Sequence, residues 1–467
     1  MTEVAPEPSL LSLLRNSGAK ISKEELRRLL AIPKRIMMAM REAGRMKDAV
    51  AAAMAAAAAE MEVEEVPEAP VIVFVNAKSG GRHGPMLKDR LQQLIGEDQV
   101  YDLSIVKPSD FVQYGLACLE ELSSRGDYCA QTTREKLRIM VAGGDGTVGW
   151  ILGSLAELHL KSREPVPPIG IIPLGTGNDL SRSFGWGGSF PFAWRSTVRS
   201  SLYRVITGPI CYLDSWQVIV SMPEKETIEL PYSLRQLEEQ IFIQDGDTRE
   251  ELPEKFSCFE GVFYNYFSIG MDAQVAYGFH HLRDEKPYIA QGPIANKLIY
   301  TGYGCTQGWF VTPCMADPSF RGLKNILRLY IKKANCADWE QIQVPKSVRA
   351  IVVLNLHNYG SGRNPWGNPK PEYLEKKGFV EANVDDGLLE IFGLKQGWHV
   401  SFVMVELISA KHIAQAAAIR LEIGGGEWKH AYMQMDGEPW KQPIDCERLT
   451  FVDIKRVPLQ SVLIGGS

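Results

Sequence analysis

The sequence predicts an α/β domain with a doubly wound parallel sheet, followed by a β-rich accessory domain with a sandwich-like arrangement. Apolar strand-like runs alternate with amphipathic helical runs between residues 67 and 212, which is typical of a parallel sheet covered by helices on both faces. After residue 212 the runs become short and apolar or aromatic, with Gly and Pro between them, as in β-rich domains. A chain of 467 residues is also too long for one ordinary core.

Residues 1–66 are predicted to form a helical, partly disordered N-terminal arm and linker. Residues 23–50 show a helical pattern of leucines and methionines with several basic side chains. Such a helix either lies on an anionic membrane surface or forms a simple helical arm. The alanine-rich run 49–59 favours a helix but is too short to span a bilayer, and the acidic, proline-bounded run 60–70 indicates a linker.

In the domain spanning residues 67–212, each predicted strand is an apolar run and each predicted helix repeats its apolar residues on one face. The predicted strands are 71–75, 100–106, 137–142 and 169–172, and the predicted helices are 85–95, 109–122 and 147–158. Ligands of such sheets bind at the carboxyl ends of the strands.

The domain spanning residues 213–460 is predicted to be mainly β, with an insertion at 223–254. Its last strand or tail can pack back on the first domain. The predicted strands are 215–220, 261–269, 327–332, 350–356, 388–393 and 449–454. Additional helices are predicted within 277–310 and 400–419.

Composition excludes several classes of protein. The formal net charge of −5 argues against nucleic acid as the main partner. The eight cysteines form no C-x-x-C pair and show no metal-binding spacing with histidines, so we expect reduced thiols in a cytosolic protein. The chain begins without a secretory signal pattern, and no uncharged apolar run reaches the ~20 residues that span a bilayer.

Glycine-rich segments follow three of the predicted strands. They are NAKSGG at 76–81, GGDGT at 143–147 and PLGTGND at 173–179. Glycine lets several backbone N–H groups face one anion, and the helix that follows adds its positive N-terminus. Together the segments predict a polyphosphate site in a nucleotide-using enzyme such as a kinase. The Walker, protein-kinase and dinucleotide-binding patterns are absent from the sequence.

Asp145 is the unexpected residue in these segments, because a carboxylate repels phosphate. It therefore requires a cation such as Mg²⁺, or a proton to accept; the alternative is a simple turn aspartate. Asp179 begins the helix after the third segment, where it either caps that helix or takes part in the site.

Two further acidic turns stand late in the chain, NVDDGL at 383–388 and QMDGEP at 434–439. Asp-Gly is a common hairpin turn, so each is explained by structure alone. Alternatively, one of these carboxylates accepts a proton from an acceptor hydroxyl, as a hydroxyl kinase requires.

Taken together, these motifs resemble the diacylglycerol kinase family over about residues 70–460, in particular the short plant forms without zinc-binding domains. The resemblance depends on the three glycine-rich segments and on four later motifs. These are LDSW at 213–216, NYFSIGMDAQVA at 265–276, DDGLLE at 385–390 and MDGEPW at 435–440.

The resemblance implies an ATP- and Mg²⁺-dependent lipid kinase that phosphorylates the free hydroxyl of 1,2-diacylglycerol to phosphatidic acid, with its active site between two domains. The implied ATP-binding residues are Asn76, Ser79, Gly80, Gly143, Gly144, Gly146, Thr147, Gly175 and Thr176. The implied metal-binding or supporting residues are Asp145, Asp214, Asp386, Asn383 and Leu388. The implied catalytic residues are Asp145 and, as the base, either Glu438 or Asp436.

A lipid substrate implies that a cytoplasmic protein associates reversibly with membrane surfaces. The candidate contact regions are the basic arm and the aromatic run 184–194. The alternative for the aromatic run is buried packing within the domain. The alternatives for the function are a sphingosine- or ceramide-type lipid kinase and a catalytically inactive, membrane-associated nucleotide-binding protein. An NAD kinase shares GGDGT but explains neither PLGTGND nor the late acidic turn. Oligomeric state and the roles of 1–66 and 223–254 stay open.

Overall fold

The structure is a computed structural model. It describes residues 21–58, 66–79, 83–175, 177–189, 194–224, 228–237, 256–285, 322–395, 410–425, 428–445 and 447–466. The described residues fall into two compact units. Unit 1 lies within Met1–Gly175, Phe184–Cys211 and Val462–Ser467, and unit 2 lies within Thr176–Ser183 and Tyr212–Ser461. The chain therefore passes between the units within the PLGTGND segment.

Unit 1 contains the alternating strands and helices. Its strands are β1 (Val71–Val75), β2 (Val100–Asp102), β3 (Arg138–Gly143), β4 (Ile169–Pro173), β5 (Ile210–Leu213) and, at the end of the chain, β19 (Ser461–Ile464). Its helices after the arm are α4 (His83–Ile95), α5 (Pro108–Asp110, a π-helical turn Phe111–Gly115, then Leu116–Ser124), α6 (Tyr128–Lys136), α7 (Asp145–Leu160) and α9 (Trp194–Thr207).

The six strands of unit 1 form one sheet in the order β2-β1-β3-β4-β19-β5. The pairs β1/β2, β1/β3, β3/β4 and β4/β19 are parallel. Strands β1 and β4 are buried along their whole length, which explains their continuous apolar sequences. The C-terminal strand β19 lies inside this sheet, beside β4.

The described part of the N-terminal arm, residues 21–58, is helical and belongs to unit 1. They form α1 (Lys23–Leu30), α2 (Lys34–Met46) and α3 (Ala49–Ala57). A capping box of Ser22 and Glu25 begins α1. The inward-facing side chains of α1 and α2 are buried, with Leu26, Ile36 and Met40 at most 1% exposed.

Polar contacts also fix the arm to unit 1. The buried Gln99 side chain donates to Leu30 O and Val71 O, at 2.9 and 2.7 Å, and accepts from Ile32 N at 3.0 Å. Arg41 donates to Asp98 O at 2.6 Å and lies 4.5 Å from the centre of the Tyr101 ring. Arg41 therefore binds protein, which the basic sequence pattern of the arm alone does not reveal.

The aromatic run 184–194 is partly described, and its two described aromatic residues support buried packing over membrane contact. Phe184 and Trp186 are 6% and 7% exposed. The Trp186 indole donates to Ile464 O in β19 at 2.7 Å. None of the helices in the described parts of the chain combines the length and low charge that crossing a membrane requires.

Unit 2 contains two mainly antiparallel sheets. The first has the order β11-β10-β15-β18-β6-β8-β7 and the second β14-β13-β12-β9-β16-β17. The strands are β6 (Trp216–Pro223), β7 (Arg235–Gln236), β8 (Phe256–Phe263), β9 (Tyr266–Gly270), β10 (Leu327–Lys332), β11 (Glu340–Ile342), β12 (Ala350–Leu354), β13 (Leu389–Leu394), β14 (Lys411–Ala416), β15 (Ala418–Ile423), β16 (His430–Met435), β17 (Glu438–Pro443) and β18 (Thr450–Arg456). The helices are α8 (Asp179–Ser183), α10 (Met271–Glu285) and α11 (Pro371–Lys377).

One buried cluster joins the two sheets of unit 2, with side chains from both, including Trp216, Phe263, Phe267 and Trp440. This two-sheet core agrees with the predicted β-rich domain. Two local expectations were wrong: a single strand over 261–269 is a pair of strands, and residues 411–419 lie in β14 and β15 instead of a helix. The predicted insertion 223–254 falls largely outside the described residues.

Candidate active site

The glycine-rich segments after β1 and β3 lie side by side at the carboxyl edge of the unit 1 sheet. Chain order runs outward from β1 to β2 on one side and from β3 to β4 on the other. The boundary between β1 and β3 is therefore a topological switch point, where open α/β sheets bind ligands. Asn76 Nδ2 donates to Thr147 Oγ1 across this boundary at 3.0 Å.

The segments after β3 and β4 are also adjacent. Gly143 pairs with Pro173 in the parallel ladder, and Leu174 N donates to Gly143 O at 2.9 Å. A Cβ at Gly143 would lie 2.5 Å from the Thr147 Cβ, so only glycine allows the chain to fold so closely onto the next helix. Within unit 1 the structure thus brings together residues 76–79, 143–147 and 173–175.

The N-terminus of α7 is the electrostatic centre of this edge. Gly144 is its N-cap and supplies no side-chain hydrogen bond, and Gly146 is exposed. A 16-residue helix places positive partial charge at its N-terminus, with backbone N–H groups suited to an anion. Asp145, in the first turn, is partly buried and is the carboxylate nearest in sequence to these groups.

Among the other predicted ATP-binding residues, Ser79 lies in the β1 segment, where its N donates to Asn76 O at 3.0 Å. Gly175 is the last residue of unit 1 before the chain enters unit 2. Gly80 and Thr176 lie outside the described residues.

Asp179 has a role within unit 2 that the sequence did not predict. Its carboxylate accepts from Ser361 N at 3.1 Å and from Gly362 N at 2.5 Å. Both donors have positive φ, as does Gly360, so the carboxylate stabilises a strained loop between residues 359 and 363.

The turn at 436–437 is a two-residue hairpin between β16 and β17. Asp436 and Gly437 both have positive φ, at 48° and 87°, as a type I′ turn requires. The Asp436 carboxylate accepts from three backbone N–H groups, those of Tyr264, Asn265 and Tyr266, at 2.8, 2.8 and 2.9 Å. Burial raises the pKa of Asp436 from 3.8 to about 6, and these donors act to lower it.

Glu438 follows this turn as the first residue of β17, opposite Met435, and is partly buried. The two candidate bases therefore differ in environment. Both oxygens of Asp436 are used to hold the backbone of residues 264–266, whereas Glu438 stands at the rim of the hairpin. This difference supports a structural role for Asp436.

Asp214 is a buried carboxylate, 1% exposed, at the centre of a polar network in unit 2. It accepts from Arg456 Nε at 2.8 Å, from Gln460 Nε2 at 3.0 Å and from Gly387 N at 2.6 Å. Its own N donates to Val384 O at 2.8 Å. Of the two roles open to it, metal ligand or supporting acid, these contacts favour support of the 383–388 turn.

Asp386 is the exposed carboxylate of that turn, and it accepts from Leu388 N at 2.8 Å. Desolvation raises its pKa from 3.8 to about 6, and the negative charges of Glu390 and Asp214 add to the increase. A cation at this turn would relieve that repulsion.

The oxygen donors fit a magnesium ion, which takes carboxylate and carbonyl oxygens. Within the described ranges, no group of three or more His, Cys, Asp or Glu side chains is arranged to hold a metal ion. Mg²⁺ in kinase sites is usually held by one or two carboxylates together with substrate phosphates, which Asp145 and the carbonyl-rich 383–388 turn can each accommodate.

Sequence reasoning missed the buried polar residues behind the 436–438 hairpin. Asp272, Ser268 and Gln434 form one hydrogen-bonded group in unit 2. Asp272 and Ser268 belong to the NYFSIGMDAQVA motif, but no sequence pattern indicates that the three side chains meet.

Two family models match this chain. The diacylglycerol kinase catalytic domain family matches residues 70–210, and the diacylglycerol kinase accessory domain family matches residues 262–439.

Among its relatives, diacylglycerol kinase 7 of Arabidopsis thaliana is 63% identical over 452 residues, 96% of this chain and 91% of that protein. Diacylglycerol kinase 4 of the same plant is 63% identical over 98% of this chain and 94% of that protein. Human diacylglycerol kinase theta is 30% identical over 80% of this chain and 33% of that protein. The chain therefore belongs to the diacylglycerol kinase family.

Proposed function

We propose that the protein transfers the γ-phosphate of ATP to the free hydroxyl of 1,2-diacylglycerol, giving phosphatidic acid and ADP. The observation that carries this proposal lies within unit 1: the segments after β1 and β3 meet at the β1/β3 switch point, where the Asn76–Thr147 hydrogen bond joins them, and residues 173–175 lie beside Gly143. The high identity to plant diacylglycerol kinases over nearly the full chain supports the choice of acceptor.

The ATP phosphates bind the backbone N–H groups of residues 143–147 and the start of α7, with Asn76 and Ser79 on the β1 side and Gly175 on the β4 side. Gly80 and Thr176, which lie outside the described residues, are predicted from the sequence to contribute to the same site. Thr147 is 9% exposed and holds Asn76 in place, so the two loops form a preorganised cradle. Groups that are already aligned with the developing charge need no reorganisation during the reaction.

Asp145 is the residue that would hold the catalytic Mg²⁺, and Asp386 with the carbonyls of Asn383 and Leu388 would hold a structural one. When bound, the catalytic ion neutralises charge on the phosphates. Asp214 orients the 383–388 turn through Gly387 and Val384.

Glu438 accepts the proton of the diacylglycerol hydroxyl, and Asp436 shapes the hairpin that presents it. The assignment rests on the three backbone donors that occupy the Asp436 carboxylate. Glu438 begins β17 and is partly buried, and a general base must come within hydrogen-bond reach of the proton that it removes.

The acceptor resides in a bilayer, so we propose reversible association with a membrane surface. The outer face of α2 and its C-terminal turn exposes Met38, Met46 and Lys47 while the inner face packs on unit 1. Met46→Ser/Lys47→Glu is expected to weaken co-sedimentation with phosphatidylserine vesicles, relative to Leu160→Ser, which removes an apolar side chain that is 79% exposed. Equal binding of the two variants would refute this surface.

The test of function is transfer of labelled γ-phosphate from ATP to a panel of lipids in mixed micelles. We expect diacylglycerol to be phosphorylated with far higher kcat/KM than sphingosine or ceramide. Preferential labelling of sphingosine or ceramide would contradict the proposed acceptor. A protein whose melting temperature rises with Mg-ATP, but which labels no lipid, would contradict the enzymatic assignment.

A further inference from the structure

A buried carboxylate lies next to the β16/β17 hairpin that carries the proposed base, Glu438. It has no part in the mechanism described so far. Asp272 is 6% exposed in the first turn of α10. Within the part of unit 2 that the structure describes, no Lys, Arg or His side chain pairs with it. A buried carboxylate without a cation is costly, so its retention at this position requires an explanation.

The partners of Asp272 are neutral side chains from separate elements. Ser268 Oγ donates to Asp272 Oδ2 at 2.8 Å, and Gln434 Nε2 donates to the same oxygen at 2.5 Å. The Tyr359 hydroxyl is a third partner. Burial raises the pKa of Asp272, and the bonds from Tyr359, Ser268 and Gln434 lower it.

Through Gln434, the hydrogen-bonded group around Asp272 is connected to the β16/β17 hairpin. Gln434 is fully buried and lies in β16, four residues before Glu438. Its Nε2 also donates to Ser268 Oγ at 2.9 Å, and its Oε1 accepts from the Tyr266 hydroxyl at 3.4 Å. Two residues after Gln434, just past the last pair of the β9/β16 ladder, Asp436 N donates to Tyr266 O at 3.0 Å.

Through Tyr359, the same hydrogen-bonded group is connected to the 359–363 loop, which Asp179 stabilises. Tyr359 and Arg363 exchange two backbone hydrogen bonds, of 2.8 and 2.9 Å, that close this loop. Ser361 and Gly362 between them donate to the Asp179 carboxylate. All of these residues belong to unit 2, and Asp179 is the last residue of the PLGTGND segment.

We propose that Asp272 is a positioning residue for phosphoryl transfer, which holds the Glu438 hairpin and the 359–363 loop in one fixed arrangement through Gln434 and Tyr359. The proposal rests on the proposed role of Glu438 as the base. A displacement of about 1 Å in a reacting group can lower a rate by ~10²-fold, so a rigid support behind the hairpin has a direct effect on turnover.

The experiment is a double-mutant cycle in the full-length chain with Asp272→Asn and Tyr359→Phe. Each change preserves shape: Tyr359→Phe removes the hydroxyl that bonds to Asp272, and Asp272→Asn removes the negative charge and one of the two acceptor oxygens. We expect each single variant to lower kcat by about 10-fold with KM for Mg-ATP nearly unchanged, and the double variant to lose about 10-fold instead of the ~100-fold expected of independent sites. Ser268→Ala, a second change at the same carboxylate, is expected to lower kcat in the same direction.

The matched control is Asp453→Asn, since Asp453 is also a buried carboxylate of unit 2, paired with Arg420 at 2.8 Å. We expect it to lower the melting temperature but to leave kcat within about twofold. The proposal would be overturned if the kcat losses of the two single variants multiplied in the double variant. A folded Asp272→Asn with wild-type kcat, or a control that loses as much kcat as Asp272→Asn, would overturn it as well. Glu438→Gln tests the proposed base separately from the proposed positioning role. Full activity in that variant would reject Glu438 as the base, while the Asp272 cycle would still report on whether Asp272 positions the site.

Discussion

The two regions assigned to catalysis are built in different ways. In unit 1 the site consists of backbone: Gly143, Gly144 and the first turn of α7 meet at the ends of parallel strands. In unit 2 it consists of buried carboxylates that orient other groups, as Asp436 orients residues 264–266 and Asp214 orients the 383–388 turn. A backbone site can be recognised from glycine spacing, whereas a carboxylate network depends on contacts between distant residues.

The first prediction, a large loss of turnover, concerns Asp145 in the first turn of α7. Asp145→Ala should lower kcat by about 10²–10³-fold, because it removes the carboxylate that would hold Mg²⁺ against the transferring phosphoryl group. The melting temperature should change little, since the side chain is only partly buried. The measurements are kcat in the diacylglycerol assay and thermal unfolding, with the exposed Asp89→Ala as control. Near wild-type kcat in a folded Asp145→Ala protein would remove Asp145 from the mechanism.

The second prediction concerns the arm as part of unit 1. Ile36 is fully buried in α2, so Ile36→Ala should lower the free energy of unfolding by about 2–5 kcal/mol. Met38→Ala on the same helix, where the side chain is 56% exposed, should have a much smaller effect. Urea unfolding checks both. Equal and small losses would indicate that the arm does not contribute to the stability of unit 1.

A smaller effect concerns the pH dependence contributed by Asp436. Its pKa is raised in the folded state from 3.8 to about 6, so the folded protein binds more protons than the unfolded chain between these values. The carboxylate's contribution to stability should then decrease as pH rises through that window. Asp436→Asn lacks this titration, and urea unfolding of both proteins across the window should show the wild type losing stability relative to the variant. A constant difference would contradict the raised pKa.

Much of unit 1 was predictable because its signals are local. The buried strand β1 matches its predicted limits, and β3, β4 and α7 differ from theirs by one or two residues. The short helix α6 was missed, because Tyr128–Lys136 is polar and buries few apolar side chains. The role of the arm stayed open in the sequence because its arginines and methionines fit a membrane helix and a packed helix equally well by pattern.

Unit 2 was less predictable, because its strands alternate buried and exposed residues over short lengths and pair with distant partners. Residues 411–419 resemble a helix by their alanine content but form strands through pairing with β13 and β10. The candidate carboxylates Asp214, Asp386, Asp436 and Glu438 were found by motif. The motifs did not show which of these carboxylates are structural and which are chemical. That distinction depends on hydrogen-bond donors that lie far away in sequence, such as Arg456 for Asp214 and Tyr264 for Asp436.

The most direct test of the account is to compare kcat and melting temperature for Glu438→Gln and Asp436→Asn in the same diacylglycerol assay. If Glu438 is the base and Asp436 supports the hairpin, Glu438→Gln should lose about 10²–10⁴-fold in kcat with nearly wild-type melting, while Asp436→Asn should lose stability and less turnover. The reverse result, an active Glu438→Gln and a stable but inactive Asp436→Asn, would contradict the assignment.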